Sequence, residues 1–191
     1  MVLAGGRSSR FGSDKLAVPE RGVPLLRRAV SALAQVCGDV VVVLSPDGAE
    51  PATLGRLPVR FARDEVGGEG PLAGVCAGLE LVDTDLALLA AGDMPELAVD
   101  VLALLLRSAQ ERPADGVVLG ERGTWRPLPC VVRTARARPA ARSLFAGGTR
   151  SVRGLLTQLH AVPVDEATWR GLDPAGGTLR DVDRREDLAA D

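Results

Sequence analysis

Short apolar runs alternate along the chain with stretches whose apolar residues recur at helical spacing, and the alternation holds through residue 119. That rhythm is the mark of a sheet built from strand–helix–strand units. It predicts strands at Met1–Ala4, Val40–Leu44, Val59–Ala62, Leu86–Ala91 and Val117–Leu119. Between them, Pro24 to Val36 reads as a helix, with Leu25, Leu26, Ala29 and Leu33 at turn spacing. Pro71 suits the first turn of a helix running to about Val82. From Leu97 onward, Val101, Leu104 and Leu105 define an apolar face that Pro113 ends. Helices so placed cover both faces of the sheet. After Gly120 the rhythm changes. Glu121–Thr124 has the character of a hairpin tip, and Pro127–Val132 is extended. Helical stretches follow near Ala135–Ala146 and Ser151–Leu159, then an extended piece at Ala161–Val164. The expected fold is α/β: one domain over residues 1–191, with a doubly wound, mostly parallel, Rossmann-like sheet and an excursion inserted in its second half. The first strand has only Met1–Ala4 available, so either it is short or the natural start lies upstream.

Composition narrows the classes of function. The 191 residues are 46% hydrophobic and 25% charged, as in an ordinary globular domain. A formal net charge of −2 argues against a broad electrostatic grip on nucleic acid or on an anionic membrane. No run approaches the roughly 18 apolar residues of a membrane span, and the start lacks a signal-peptide layout, so a cytoplasmic location is expected. Cys37, Cys76 and Cys130 are odd in number and far apart, which predicts small buried thiols rather than a disulfide or zinc framework. The single histidine, His160, falls on the apolar stretch Leu155–Val164 and is expected to be structural. A histidine-based triad is thereby excluded. The Arg/Ala-rich stretch Ala135–Arg142 reads as a solvated helix face rather than a phosphate patch.

The chemistry concentrates at the start. Leu3-Ala4-Gly5-Gly6 leads through Ser8, Ser9, Arg10, Phe11 and Gly12 to Asp14-Lys15. Glycines let backbone N–H groups approach a ligand, and a terminal lysine supplies a point charge for phosphate oxygens. The spacing is not G-x-x-x-x-G-K-[ST], because Ser13-Asp14 intervenes between Gly12 and Lys15. A dinucleotide G-x-G-x-x-G fails here too; Gly68-Glu69-Gly70-Pro71-Leu72-Ala73 matches only in part. Blander readings stand beside these: a structural turn for Gly5, Gly6 and Gly12, a surface lysine for Lys15, local loop structure for Asp14. Asp93 follows the run Leu86–Ala91, at the strand end where open α/β sheets bind ligands, and alternatively caps the next helix.

The segment Leu3-Ala4-Gly5-Gly6-x-Ser8-x-Arg10-Phe11-Gly12-x-Asp14-Lys15 resembles the signature of the MobA-like nucleotidyltransferases, nearest the molybdenum cofactor guanylyltransferases among them. Gly70-Pro71-Leu72-Ala73-Gly74 is similar to that family's second glycine-rich turn, and Ala91-Gly92-Asp93-Met94-Pro95 to its acidic metal turn. The resemblance implies a fold of the nucleotide-diphospho-sugar transferase type. It implies Mg²⁺-dependent transfer of GMP from GTP to the terminal phosphate of molybdopterin, with release of pyrophosphate. It assigns nucleotide contacts to Leu3, Ala4, Gly5, Gly6, Lys15, Asp64, Pro71, Leu72 and Asp93, catalytic roles to Lys15, Arg10 and Asp93, and the metal to Asp93. Partners so implied are GTP, molybdopterin and, transiently, molybdenum cofactor biosynthesis proteins or molybdoenzymes. Asp64 has an alternative as the start of a solvated loop. Arg126, Arg150 and Arg153 are candidate acceptor-phosphate contacts or plain surface arginines.

Two departures stand out. The family's C-terminal Asn-x-Asn turn appears as Asp181-Val182-Asp183 in a chain without asparagine, and Phe11 replaces a common methionine. Asp183 either joins the metal or acceptor region or caps a last helix over Arg184–Ala190. Alternatives to the guanylyl type are a cytidylyltransferase, a sugar-phosphate nucleotidyltransferase, or a nucleotide-binding protein without catalysis.

Overall fold

The computed structural model describes residues 1–5, 15–64 and 66–188. Gly6, Arg10, Phe11, Gly12 and Asp14, with their predicted roles, lie outside the described residues, as does Glu65. In chain order the elements are β1 (Val2–Leu3), β2 (Pro19–Glu20), β3 (Val23–Pro24), α1 (Leu25–Leu33), β4 (Val40–Leu44) and β5 (Val59–Arg63). Then come α2 (Pro71–Glu80), β6 (Leu86–Ala91), α3 (Val99–Glu111), β7 (Gly116–Glu121) and β8 (Thr124–Arg133). The remainder holds α4 (Thr134–Ala146), α5 (Val152–Gln158), β9 (Val162–Val164) and α6 (Glu166–Arg170). The main sheet has the order β5-β4-β1-β6-β8-β7-β9, and β2 with β3 forms a separate small hairpin. All neighbours pair in parallel except β6–β8 and β7–β8, so β8 is the one reversed strand of a mostly parallel sheet.

The strands read as unbroken apolar runs because both faces are covered. Alternate residues feed opposite cores. Val40, Val42, Leu44, Leu88, Ala90 and Val117 pack with Leu26, Val30, Leu102 and Leu105 from α1 and α3. Val41, Val43, Ala87, Leu89, Val118 and Cys130 pack with Leu72, Val75, Leu79, Ala137 and Leu155 from α2, α4 and α5. Trp169 of α6 is fully buried on the first side, its indole N–H donating to the Gly120 carbonyl at 2.7 Å.

β1 is short but fully engaged. It pairs with β4 on one side and β6 on the other. Beyond those ladders the Met1 amino group donates to the Leu88 carbonyl at 2.7 Å, Ala4 N–H to Val43 at 2.8 Å, and Gly92 N–H to Leu3 at 2.9 Å. The Met1 side chain lies where a Cβ on Gly78 of α2 would stand, so that helix closes directly onto the strand.

The later half follows the predicted outline with corrections. The hairpin tip is a two-residue loop, Arg122 and Gly123, both at positive φ. Its second strand is longer than Pro127–Val132: β8 starts at Thr124 and its register with β7 shifts between Val118 and Leu119. His160 is exposed at φ +49°, not on an apolar face, because it occupies the left-handed position that ends α5. Cys130 is buried and burial pushes its thiol up to about 12, but Cys37 and Cys76 are only half-buried. The last helix expected over Arg184–Ala190 is, in its described part, a single 3₁₀ turn at Arg185–Asp187. The Arg/Ala-rich helix α4 is not merely solvated. Arg138 donates to the Leu79 and Val82 carbonyls at the end of α2, and Arg142 pairs with Glu80 at 2.6 Å. Among the described residues, no helix is long and apolar enough to cross a membrane.

Two turns fix the surroundings of the strand ends. Gly70, ahead of α2, has φ +89°, and a Cβ there would stand 2.8 Å from the Arg150 carbonyl, which also accepts from Leu72 N–H at 3.1 Å. Asp173 receives N–H bonds from Gly176, Gly177 and Thr178 at 3.0, 3.2 and 2.7 Å. Desolvation raises its pKa, but those donors outweigh it and hold the carboxyl below its ordinary 3.8.

Gly70→Ala should lose about 2–3 kcal/mol of stability in denaturant titration, combining a left-handed backbone with the clash on Arg150. Asp173→Ala should cost about 2 kcal/mol at neutral pH, from charge-assisted bonds lost. The depressed carboxyl contributes stability above the unfolded pKa and loses it as pH falls through the folded one, so the gap between the two proteins should close in acid.

Candidate nucleotide-transfer site

β4 lies on one side of β1 and β6 on the other, so the strand order reverses at β1. The crossovers through α1 and α2 run over opposite faces. Open α/β sheets bind ligands outside the carboxyl ends of the strands at such a reversal. Ala4 and Gly5 leave β1 there, and Gly92-Asp93 leaves β6 beside them. Gly5 is exposed and lies against β4; a Cβ on it would be 3.1 Å from the Ser45 nitrogen. The close approach accounts for glycine at this position.

Three residues from distant parts of the chain meet at this edge. Lys15 Nζ donates to Asp93 Oδ2 at 2.9 Å and to Asp183 Oδ1 at 3.2 Å. The lysine side chain is 12% exposed, Asp93 25% and Asp183 70%, so the pair Lys15–Asp93 is sheltered while Asp183 covers it from solvent. Desolvation disfavours the ammonium, yet the two carboxylates outweigh it and Lys15 lies above the ordinary lysine pKa. Asp181 stands nearby. Its pKa is raised by desolvation, and the charges of Asp183 and Asp93 add to this while Arg126 opposes them. Among the described residues, one ammonium thus meets two carboxylates here.

The backbone explains why these groups converge. The turn after β6 is held by Met94 N–H on Ala91 and by Arg28 Nε, which donates to the Pro95 carbonyl at 3.0 Å. Val182 N–H donates to the Asp93 carbonyl at 3.0 Å, laying the segment 181–183 across that turn. Asp93 therefore does not act as the cap of α3, whose first residue is Val99. Asp183 caps no described helix; its own N–H donates to the Asp187 carboxylate at 2.9 Å, leaving its carboxylate for Lys15.

The other predicted residues fall elsewhere. Asp64 ends β5, separated from β6 by β4 and β1, about 14 Å at ordinary strand spacing. It is 9% exposed, and its Oδ1 accepts from Val66 N–H at 3.0 Å, so it closes a local turn rather than joining Lys15 and Asp93. Pro71 is exposed at the first position of α2. Leu72 points into the core, and its N–H is taken by Arg150. Leu3 and Ala4 are half-buried beside Gly5. The three candidate arginines already have protein partners. Arg126 faces Glu121 and Asp181 at 3.7 and 3.8 Å, and Arg150 pairs with Glu69 at 2.5 Å. Arg153 donates to the Trp125 carbonyl and lies 4.1 Å over its ring.

Sequence reasoning missed Glu20, Glu96, Arg28 and Arg180, which surround these turns. None has motif spacing, although Glu96 directly follows the marked turn Ala91–Pro95 and Arg180 directly precedes the marked Asp181.

Comparison with known proteins identifies the family. The MobA-like NTP transferase domain matches residues 1–162. A protein of Chloroflexus aggregans named a probable molybdenum cofactor guanylyltransferase is 36% identical, over 98% of this chain and 90% of its own length. One of Mycobacterium avium with the same name is 37% identical, over 100% of this chain and 92% of its own. Among solved structures, molybdopterin-guanine dinucleotide biosynthesis protein A from Archaeoglobus fulgidus superposes with a TM-score of 0.79 at 22% identity, covering 98% and 93% of the two chains. The 2-C-methyl-D-erythritol 4-phosphate cytidylyltransferase of Thermus thermophilus gives 0.72 at 18% identity, covering 98% and 93%, a likeness of fold alone. With a family match over most of its length and relatives above one-third identity end to end, the chain belongs to the MobA-like NTP transferases and is a nucleotidyltransferase.

Proposed function

We propose that this nucleotidyltransferase moves GMP from GTP to the terminal phosphate of molybdopterin in the cytoplasm, releasing pyrophosphate, with residues 1–191 acting as one domain. The observation that carries the reading is the meeting of Lys15 with Asp93 and Asp183 at the strand reversal. The guanylyl choice is supported by relatives of that name at 36% and 37% identity.

The donor set suits Mg²⁺. Hard oxygen ligands are what that ion takes, and it is bound through one or two carboxylates with substrate phosphates and water completing its shell. Asp93 and Asp183 provide two such carboxylates, brought to within hydrogen-bonding reach of one cationic centre. When bound, Mg²⁺ neutralises the phosphates and polarises the phosphorus under attack. The excess of carboxylate over ammonium charge favours a dication entering here.

The remaining steps fall to the chain. Gly5 lets the backbone approach the nucleotide, and Gly6 beside it does the same in this reading. Lys15 would supply its charge to the triphosphate, with Arg10 as a second cation. Asp64, Pro71 and Leu72 lie farther along the same edge, toward the nucleoside end. An oxygen of the acceptor phosphate forms a bond to the α-phosphorus as the bond to the β-phosphate oxygen breaks, and pyrophosphate carries away the electron pair. A phosphate monoester with a second pKa near 6 is largely dianionic at neutral pH, so no general base is required. The exposed position of the lone histidine accords with that. Catalysis then consists of alignment and charge neutralisation.

Asp93→Asn should lower pyrophosphate release by about a hundredfold or more while leaving the thermal transition nearly unchanged. Near-native turnover would remove Asp93 from the metal site. Lys15→Ala should weaken GTP binding by about ten- to a hundredfold in calorimetry, the worth of one charged hydrogen bond. Unchanged affinity would show that the ammonium serves Asp93 and Asp183 only.

A further inference from the structure

The groups around Lys15 reach one another from three separate segments, and a single side chain touches all three. Arg180 lies three residues before Asp183. Its Nη2 donates to Glu20 Oε1 at 2.6 Å and its Nη1 to Glu20 Oε2 at 3.1 Å, a two-pronged pair. Glu20, in β2, follows Lys15 by five residues and is 1% exposed. Nη1 also reaches Glu96 Oε1 at 3.3 Å, three residues beyond Asp93. Arg180 further donates to the Asp187 carbonyl, and the Asp187 carboxylate in turn accepts from the N–H groups of Asp183 and Arg184 at 2.9 and 2.7 Å. Between these polar ties, Val182 is fully buried with Leu25, against Val18 and Leu188.

We infer that Arg180 is a positioning residue: by joining Glu20 and Glu96 it sets the segment 181–183 in register, so that Asp183 faces Asp93 across Lys15. The inference rests on the reading of that trio as the transfer site. The argument is one of geometry against cost. Withdrawing Glu20 from water is expensive, and a buried ion pair is often no better for stability than apolar residues of the same shape. A buried pair does fix orientation. The planar guanidinium meets a carboxylate through two parallel bonds, which a lysine cannot reproduce. Here that fork is aimed at the hairpin behind Lys15, while its Nη1, shared between the two carboxylates, also reaches Glu96 in the turn behind Asp93. The carboxylate of Asp183, 70% exposed, has little packing of its own to place it. Its position is therefore inherited from Arg180 and Val182.

The test compares the native protein with Arg180→Lys, which keeps the charge and loses the fork, and with the double variant Arg180→Met/Glu20→Gln, which removes both charges so that neither is left buried alone. An exposed remote variant, Arg60→Met, serves as control. Hydrogen exchange at the Val182 amide reports the tie to Asp93, with Val42 and Val131 reporting the sheet. Binding of Mn²⁺, followed by electron paramagnetic resonance, reports the carboxylates without any need for turnover. In both Arg180 variants Val182 should exchange about tenfold faster or more while the sheet amides stay protected. Mn²⁺ affinity should fall about fivefold or more, with no change in Arg60→Met. Unchanged Val182 exchange would overturn the inference, and so would faster exchange with native Mn²⁺ affinity. Pyrophosphate release from GTP by the native protein judges the proposed function separately.

Discussion

Everything at the functional edge depends on a strand of two residues that is bonded on both sides. Val2 and Leu3 sit between β4 and β6, and the ties continue from the Met1 amino group through Ala4. A strand this short has almost no packing surface of its own, so its hydrogen bonds and the closure of α2 over Met1 must hold it. What it holds is the departure point of the glycine loop. Because its neighbours end at the same level, Gly5, Ser45 and Asp93 come to lie along one line of strand ends. So brief a central strand is tolerated because the flanking strands are longer, β4 wholly buried and β6 buried through its middle.

Electrostatics then decides what the edge is prepared to bind. Lys15 is stabilised as a cation by two carboxylates, while the Asp181 pKa is raised first by burial and further by Asp183 and Asp93. Among the described residues, such an arrangement is satisfied locally yet holds more carboxylate than cationic charge. The substitution of carboxylates for amides at residues 181 and 183 contributes much of that imbalance.

The physics also separates what the sequence disclosed from what it did not. Val40–Leu44 and Leu86–Ala91 were legible to the residue because strands covered on both faces must be apolar at every position. Lys15 and Asp93 were marked by the sequence, the one at the end of a glycine-rich stretch and the other just after the apolar run Leu86–Ala91. Their contact was not, since a separation of 78 residues carries no periodic signal. Glu20 and Arg180 were invisible for the same reason: an ion pair 160 residues apart looks like two surface charges until the chain is folded. His160 misled through its apolar neighbours, whose helix ends just before it in a left-handed turn. Arg126, Arg150 and Arg153, left open between acceptor contacts and plain surface arginines, were read by charge alone, and in the fold each has a protein partner. Asp64 follows β5 at a strand end, as read, with β4 and β1 between that strand and β6.

The return of the chain from the far edge of the sheet has a consequence for synthesis. After β9 the polypeptide passes back over the turn behind β6, and its residue 183 comes to rest against residue 15. A ribosome delivers the strands β1, β4, β5 and β6, with Lys15 and Asp93, long before it delivers Asp183. The nascent protein can thus build its sheet and the first half of its ion cluster while the second carboxylate is still unmade. This cluster is completed only once residue 183 has been made, so its assembly follows the order of translation.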